Sequence, residues 1–265
     1  MRTPDRSHCN DQLRFDVRCE WGLPGIRLVG VSADVLIIVD VLSFSTCVDV
    51  AVSRGARVFP YKWKDETARE YATQVGAELA VQRGQTGRFS LSPASMRSAV
   101  AGTRIVLPSP NGSELTTESE ELGRIVIAGC FRNCQAVAAF AAAQGGAIAV
   151  IPSGERWPDG TLRPAVEDLA AAGAIIANLA GALSLEASAA VAVWNAARNG
   201  IGNFVASCVS GQELIERDFE EDIRIACEVN VSATVPVLRE RAYIRVGTQE
   251  PGGVAALMGR LTGAQ

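Results

Sequence analysis

Asp34-Val-Leu-Ile-Ile-Val-Asp40 sets five consecutive apolar residues, four of them β-branched, between two aspartates. A run this short and this uniformly apolar reads as a strand buried on both faces, the kind found in parallel sheets. A helical pattern follows at residues 43–54 and is closed by Gly55. Working outward, the alternation repeats. Strands are expected at 57–60, 78–81, 104–107, 124–128 and 147–151. Helices are expected at 65–75, 93–100, 114–122 and 131–143, the first with Asp65, Glu66 and Thr67 as start signals and Gly76 as its stop. Polar loops separate them at 82–93, 109–113 and 152–164. Helices dominate from 165 to about 227, and short strands close the chain at 235–238 and 243–246. Strand–helix alternation at this spacing predicts an α/β fold: a mostly parallel sheet with helices on both faces.

The 265 residues suit one large domain or two small, intimately joined halves. We expect a single unit over 1–265, with residues 1–20 as a peripheral segment. Hydrophobic residues at 48% and charged residues at 20% describe an ordinary globular chain with enough core to fold without staples. A net charge of −4 argues against a nucleic-acid footprint. His8 is the only histidine, which removes Ser-His-Asp triads, Cys-His pairs, HExxH zinc sites and phosphohistidine chemistry. The seven cysteines are odd in number, irregularly spaced and without a CxxC, and residues 1–20 carry no secretory pattern. Reduced thiols in a cytoplasmic protein are expected. The apolar stretch 169–194 is broken by Asn178, Ser184, Glu186 and Ser188, so it reads as buried helix and not as a membrane span. A homodimer is the default assembly.

In open α/β sheets, ligands bind outside the carboxyl ends of the strands. The first strand ends in Asp40 and leads through Ser43, Ser45 and Thr46 into a helix. A carboxylate and hydroxyls at a helix start suit Mg²⁺ with phosphate; they equally suit a helix cap. The strand at 104–107 leads to Ser109-Pro-Asn-Gly-Ser113, a turn whose amides can cradle an anion. The strand at 124–128 leads to Gly129-Cys-Phe-Arg-Asn133, where Arg132 can pair with an oxyanion. The strand at 147–151 leads to Ser153-Gly-Glu-Arg156 and then to Glu167 and Asp168. Four strand ends with small polar or acidic groups on one sheet edge make a hard-metal and phosphate site. No Walker A, GxGxxG or DxD motif is present.

Taken in order, Val39-Asp-Val-Leu-Ser-Phe-Ser-Thr46, Ser92-Pro93, Pro110-Asn-Gly-Ser113, Gly129-Cys-Phe-Arg-Asn133 and Val166-Glu-Asp-Leu-Ala-Ala-Ala-Gly-Ala174 resemble the motifs of the 2-phosphosulfolactate phosphatase family. The similarity runs from about residue 34 to 246. It implies a three-layer α/β/α fold and Mg²⁺-dependent hydrolysis of 2-phospho-3-sulfolactate, a step toward coenzyme M. Asp40, Ser45, Thr46, Asn111, Gly112, Asn133, Glu167 and Asp168 match motif positions, and Asp222 matches the family's late acidic residue. Three positions depart from the pattern. Ser43 stands where the family usually has Arg, Leu91 replaces the Asn of a Gly-Asn-Ser-Pro loop, and Val81-Gln82-Arg83 replaces Gly-Glu-Arg.

On this reading Asp40 with Glu167, Asp168 and Asp222 holds Mg²⁺. Ser45, Thr46 and the amides around Asn111, Gly112 and Ser113 grip phosphate, with Asn133 and Gly154 beside them. Arg132 or Arg156 holds the substrate's carboxylate or sulfonate. Arg83, Arg132 or Arg156 can compensate for the missing Arg. The nucleophile is either a metal-oriented water or the Asp40 carboxylate. The alternative is a non-catalytic binder of a phosphorylated or carboxylated metabolite on the same scaffold.

Overall fold

The computed structural model describes residues 12–62 and 65–246. His8 and Cys9 lie outside the described residues. The strands are β1 (Val17–Cys19), β2 (Val35–Val39), β3 (Arg57–Tyr61), β4 (Glu78–Leu79), β5 (Arg104–Pro108), β6 (Ile125–Gly129), β7 (Ile148–Pro152), β8 (Glu155–Arg156), β9 (Leu162–Arg163), β10 (Pro236–Arg239) and β11 (Ala242–Arg245). The helices are α1 (Gly22–Leu28), α2 (Phe44–Ser53), α3 (Glu66–Val75), α4 (Pro93–Met96), α5 (Gly112–Glu120), α6 (Cys134–Gln144), α7 (Val166–Ile176), α8 (Leu185–Ala197), α9 (Ile201–Ser207), α10 (Val209–Ile215) and α11 (Glu220–Ala226).

Nine strands form one sheet in the order β1-β7-β2-β6-β10-β11-β3-β5-β4. The β1-β7-β2-β6 and β3-β5-β4 sets are parallel within themselves. The C-terminal hairpin β10–β11 lies between them and pairs antiparallel on each side. This hairpin is the seam between the two halves.

The period of two along β2 decides the layers. Val35, Ile37 and Val39 point into one core with α6, α7 and α8, while Leu36 and Ile38 point into the other with α2. All five are fully buried. Each such side chain contributes about 1.5–3 kcal/mol by leaving water. A smaller cluster of Phe59, Tyr71, Ala72 and Val106 covers the outer half beneath α3. The result is a three-layer α/β/α arrangement.

Several expectations change. Within the segment 1–20, residues 17–19 form β1, an edge strand of the sheet whose Val17 and Cys19 are buried and which pairs with β7. Three residues with a buried Arg18 between two apolar ones are too short a signal to read as a strand. The helix expected at 93–100 stops at Met96 and tightens into i→i+3 bonds from Arg97, Ser98 and Ala99. The apolar stretch 169–194 is two helices, with Ser184 accepting from the Ala187 N–H to start α8. They pack so closely that a Cβ on Gly173 would stand 2.0 Å from the Ala190 carbonyl oxygen. Among the described residues no helix is long and apolar enough to cross a membrane.

The strand ends do not all share one parallel edge. The ends of β2, β6 and β7 lie side by side, with Val39 paired to Gly129 and to Pro152. β5 belongs to the other half. Its loop reaches the end of β2 because α5 lies across the seam, packed on β3, β2 and β6. Thr116 of α5 donates to the Gly112 carbonyl at 2.7 Å and stands 2.8 Å from the buried Tyr243 hydroxyl of β11.

Candidate active site

Asp40 closes β2 and is buried. The Phe44 N–H donates to its Oδ1 at 3.2 Å, and the Gly112 N–H donates to its Oδ2 at 2.8 Å. Gly112 is required by close approach: a Cβ there would meet the Phe44 ring at 2.2 Å and Asp40 Oδ2 at 2.8 Å. Ser45 donates to the Asp40 carbonyl at 2.7 Å and accepts from the Asp40 N–H at 3.1 Å, and Thr46 donates to the Val41 carbonyl at 2.8 Å. Both hydroxyls are fully buried. They shape the turn, as Ser and Thr do when they compete for main-chain groups. The Ser113 hydroxyl likewise donates to a main-chain group, the Leu107 carbonyl, at 2.9 Å.

Asp168, in the first turn of α7, faces the same turn. It accepts from the Val41 N–H at 2.8 Å through Oδ1 and from the Gly154 N–H at 2.9 Å through Oδ2. Gly154 sits at φ +67°, and a Cβ would approach the Arg163 carbonyl at 2.8 Å. Burial pushes Asp168 well above the usual carboxylate range, and the charges of Asp40, Glu167 and Glu155 push it the same way. Glu167 is also buried, with the Cys208 thiol beside it.

Glu155 opens the β8–β9 ribbon and accepts from Asn111 Nδ2 at 2.8 Å. Burial first, and then the charge of Asp40, lifts its carboxyl to about 7, against the opposing pull of Asn111 and Arg163. Sequence reasoning passed over this residue. Its signal was present in the Ser153–Arg156 loop, but one acid in a polar loop does not announce burial. Arg156 pins the ribbon from its other side, bonding to Glu114 of α5.

The structure therefore joins Asp40, Asn111, Gly112, Gly154, Glu155, Glu167 and Asp168. Other expected members go elsewhere. Arg132 pairs with Asp49 at 2.8 Å, with Glu228 and with the Ile225 carbonyl. Asp49 balances a guanidinium that burial would otherwise penalise. Asn133 Oδ1 accepts from the Cys130 N–H at 2.9 Å, and its Nδ2 donates to the Ala128 carbonyl at 3.3 Å, so the side chain caps the turn after β6. Arg156 spends its guanidinium on Glu114 and the Gly160 carbonyl. Asp222 accepts from Ser92 at 2.5 Å and from Arg83 at 2.9 Å.

The 2-phosphosulpholactate phosphatase family matches residues 27–241. The chain belongs to that family. A 2-phosphosulfolactate phosphatase of Methanothermobacter thermautotrophicus is 28% identical over 207 residues, covering 77% of this chain and 86% of the relative.

Within this phosphatase family the chain's three departures converge in space. Arg83 donates to Ser43 Oγ as well as to Asp222, and Gln82, Arg83 and Leu91 line one cleft of about 400 Å³ with Pro108, Arg69 and Arg217. Arg83 thus places a guanidinium beside Ser43.

The donors suit a hard cation. All are oxygens, and like charges buried together need either protons or a cation. Ser153 Oγ, one residue from Gly154, is buried without a hydrogen-bond partner. Among the described residues no group of three or more His, Cys, Asp or Glu side chains forms a ready cage. Mg²⁺ does not need one, because it takes one or two carboxylates and keeps water and substrate oxygens as its other ligands.

Proposed function

We propose that this chain hydrolyses the phosphate monoester of a small acid of the 2-phosphosulfolactate kind, with Mg²⁺. The observation that carries the reading is the convergence of Asp40, Asp168 and Glu155, from three separate segments, on the turn between β2 and α2. Asp40 and Asp168, with Glu167, would hold the ion; bound there, Mg²⁺ would offset charge on the phosphoryl oxygens and orient the attack.

The chain's own groups do the rest. Main-chain N–H bonds to both oxygens of Asp40 and of Asp168 hold these carboxylates rigid before substrate arrives. Glu155, with its carboxyl near 7, exchanges a proton at working pH. It takes one from the attacking water, and the leaving hydroxy-acid oxygen, on the opposite side of phosphorus, takes its proton from solvent. Asn111 aims its carboxylate. With Asp40 held on both oxygens as an acceptor, water is the better nucleophile.

The test is phosphate release from 2-phosphosulfolactate, phospholactate, phosphoglycolate and phosphoglycerate, with Mg²⁺ and with EDTA, beside Asp40→Asn. Expected is Mg²⁺-dependent release that falls at least about a hundredfold in the variant. No release from any of the four by folded wild type would overturn the reading in favour of a binder.

A further inference from the structure

Arg163 is the one cation that the ribbon turns toward this site. It lies opposite Glu155 in the β8–β9 ladder, and its side chain is 9% exposed. Its guanidinium donates to Ser210 Oγ at 3.3 Å and lies over the Trp157 ring, 5.9 Å from the centroid. Among the described residues no carboxylate oxygen comes within 4.0 Å of it. The residue keeps 9% of its surface exposed. The remaining arginines of the neighbourhood are spent: Arg83 on Asp222, Arg132 on Asp49, Arg156 on Glu114.

A buried guanidinium with one hydroxyl partner leaves most of its five donors unused. Burying such a charge is costly unless an anion completes it. The planar fork matches a carboxylate or sulfonate in a bidentate pair. The carboxylates of the site, of which Glu155 lies opposite Arg163 in the ladder, are suited to the metal-bound phosphoryl end of a substrate and repel a second acid group elsewhere. Arg163 offsets that repulsion on the ribbon side alone.

We propose that Arg163 binds the second, non-phosphoryl acid group of the substrate and so selects phosphorylated acids over plain phosphate esters. This rests on the phosphatase reading above. Phospholactate and isopropyl phosphate form a matched pair, since a methyl replaces the carboxylate. With Mg²⁺ present, the ratio of their kcat/KM values is expected to fall about ten- to a hundredfold in Arg163→Met, carried by KM for phospholactate. Arg163→Lys keeps the charge without the fork and should fall between the two. Met fills the same volume, and unchanged circular dichroism and Tm would confirm folding. An unchanged ratio, or an equal loss of kcat on both esters, would overturn the proposal. Calorimetric binding of the same two esters separates the two readings. If the wild type turns over neither ester, the phosphatase reading fails. Arg163 is then judged by whether phospholactate binds wild type more tightly than it binds the Met variant.

Discussion

The Gly112 N–H donates to Asp40 Oδ2 at 2.8 Å across 72 residues of sequence. This bond ties the start of α5, which belongs to the β5 half, to the end of β2 in the other half. The Asn111–Glu155 bond then extends the link to the ribbon. Residues 111 and 112 thus hold two carboxylates of the site from adjacent positions.

Gly112→Ala tests that link. The added methyl meets Phe44 and Asp40 below contact distance. The expected loss is about 1–3 kcal/mol of stability from overpacking, with a much larger fall in kcat/KM as Asp40 moves. Gly202→Ala is the control, because a Cβ there meets nothing within 4 Å and the residue lies within α9. Urea melts and phosphate release on both variants check this.

Asp168→Ala leaves the Val41 and Gly154 N–H groups without an acceptor in a buried place. Orphaning two amides should cost about 2–5 kcal/mol and unseat the turn that carries Asp40. Amide exchange at residues 41 and 154 should accelerate well beyond the rise in global unfolding. Unchanged protection at both would contradict the assignment.

Asp222 works through Arg83, with side chains 2% and 11% exposed. Asp222→Ala strands the guanidinium and should cost about 3–5 kcal/mol. Asp222→Ala with Arg83→Met should regain part of that. Mg²⁺ affinity, read by calorimetry, should change far less in Asp222→Asn than in Asp40→Asn; an equal loss would return Asp222 to the metal ligands.

The pH dependence of stability follows from Glu155. Its carboxyl titrates near 4.5 ordinarily and near 7 in the folded chain. Between those values the folded state holds more protons than the unfolded one, so stability falls as pH rises. This contribution is complete below about 4.5 and gone above about 7, and it amounts to at most about 3 kcal/mol. Asp168 is raised by the same causes and acts in the same direction. In metal-free buffer, Glu155→Gln should gain Tm relative to wild type between pH 5 and 8. Mg²⁺ should narrow the difference by supplying the missing positive charge.

Much of the fold was legible because each central strand is a short, doubly buried apolar run followed by a helix start. β2, β5, β6 and β7 fall within a residue or so of where the pattern placed them. β1 was not legible, being three residues long in a polar context. Motif resemblance brought Asp40, Asn111, Gly112, Glu167 and Asp168 forward as candidates. It also brought forward Ser45, Thr46 and Asn133, whose side-chain groups bond to main-chain groups of their own turns. A side chain's polarity is written in the sequence; whether the main chain has already claimed it is not.

By itself, the sequence determined the alternation of strands and helices, because hydrophobic periodicity is local. It determined as well which chemistries lacked their residues, since a chain with one histidine cannot supply most nucleophile–base pairs. The tertiary structure alone decided that β10–β11 enters the middle of the sheet and that α5 crosses the seam. It alone decided that Glu155 is lifted toward neutrality while Arg132 and Arg156 are spent elsewhere. Those outcomes depend on burial and on charges brought close from distant positions, and the low-dielectric surroundings that create them exist only once the chain has folded.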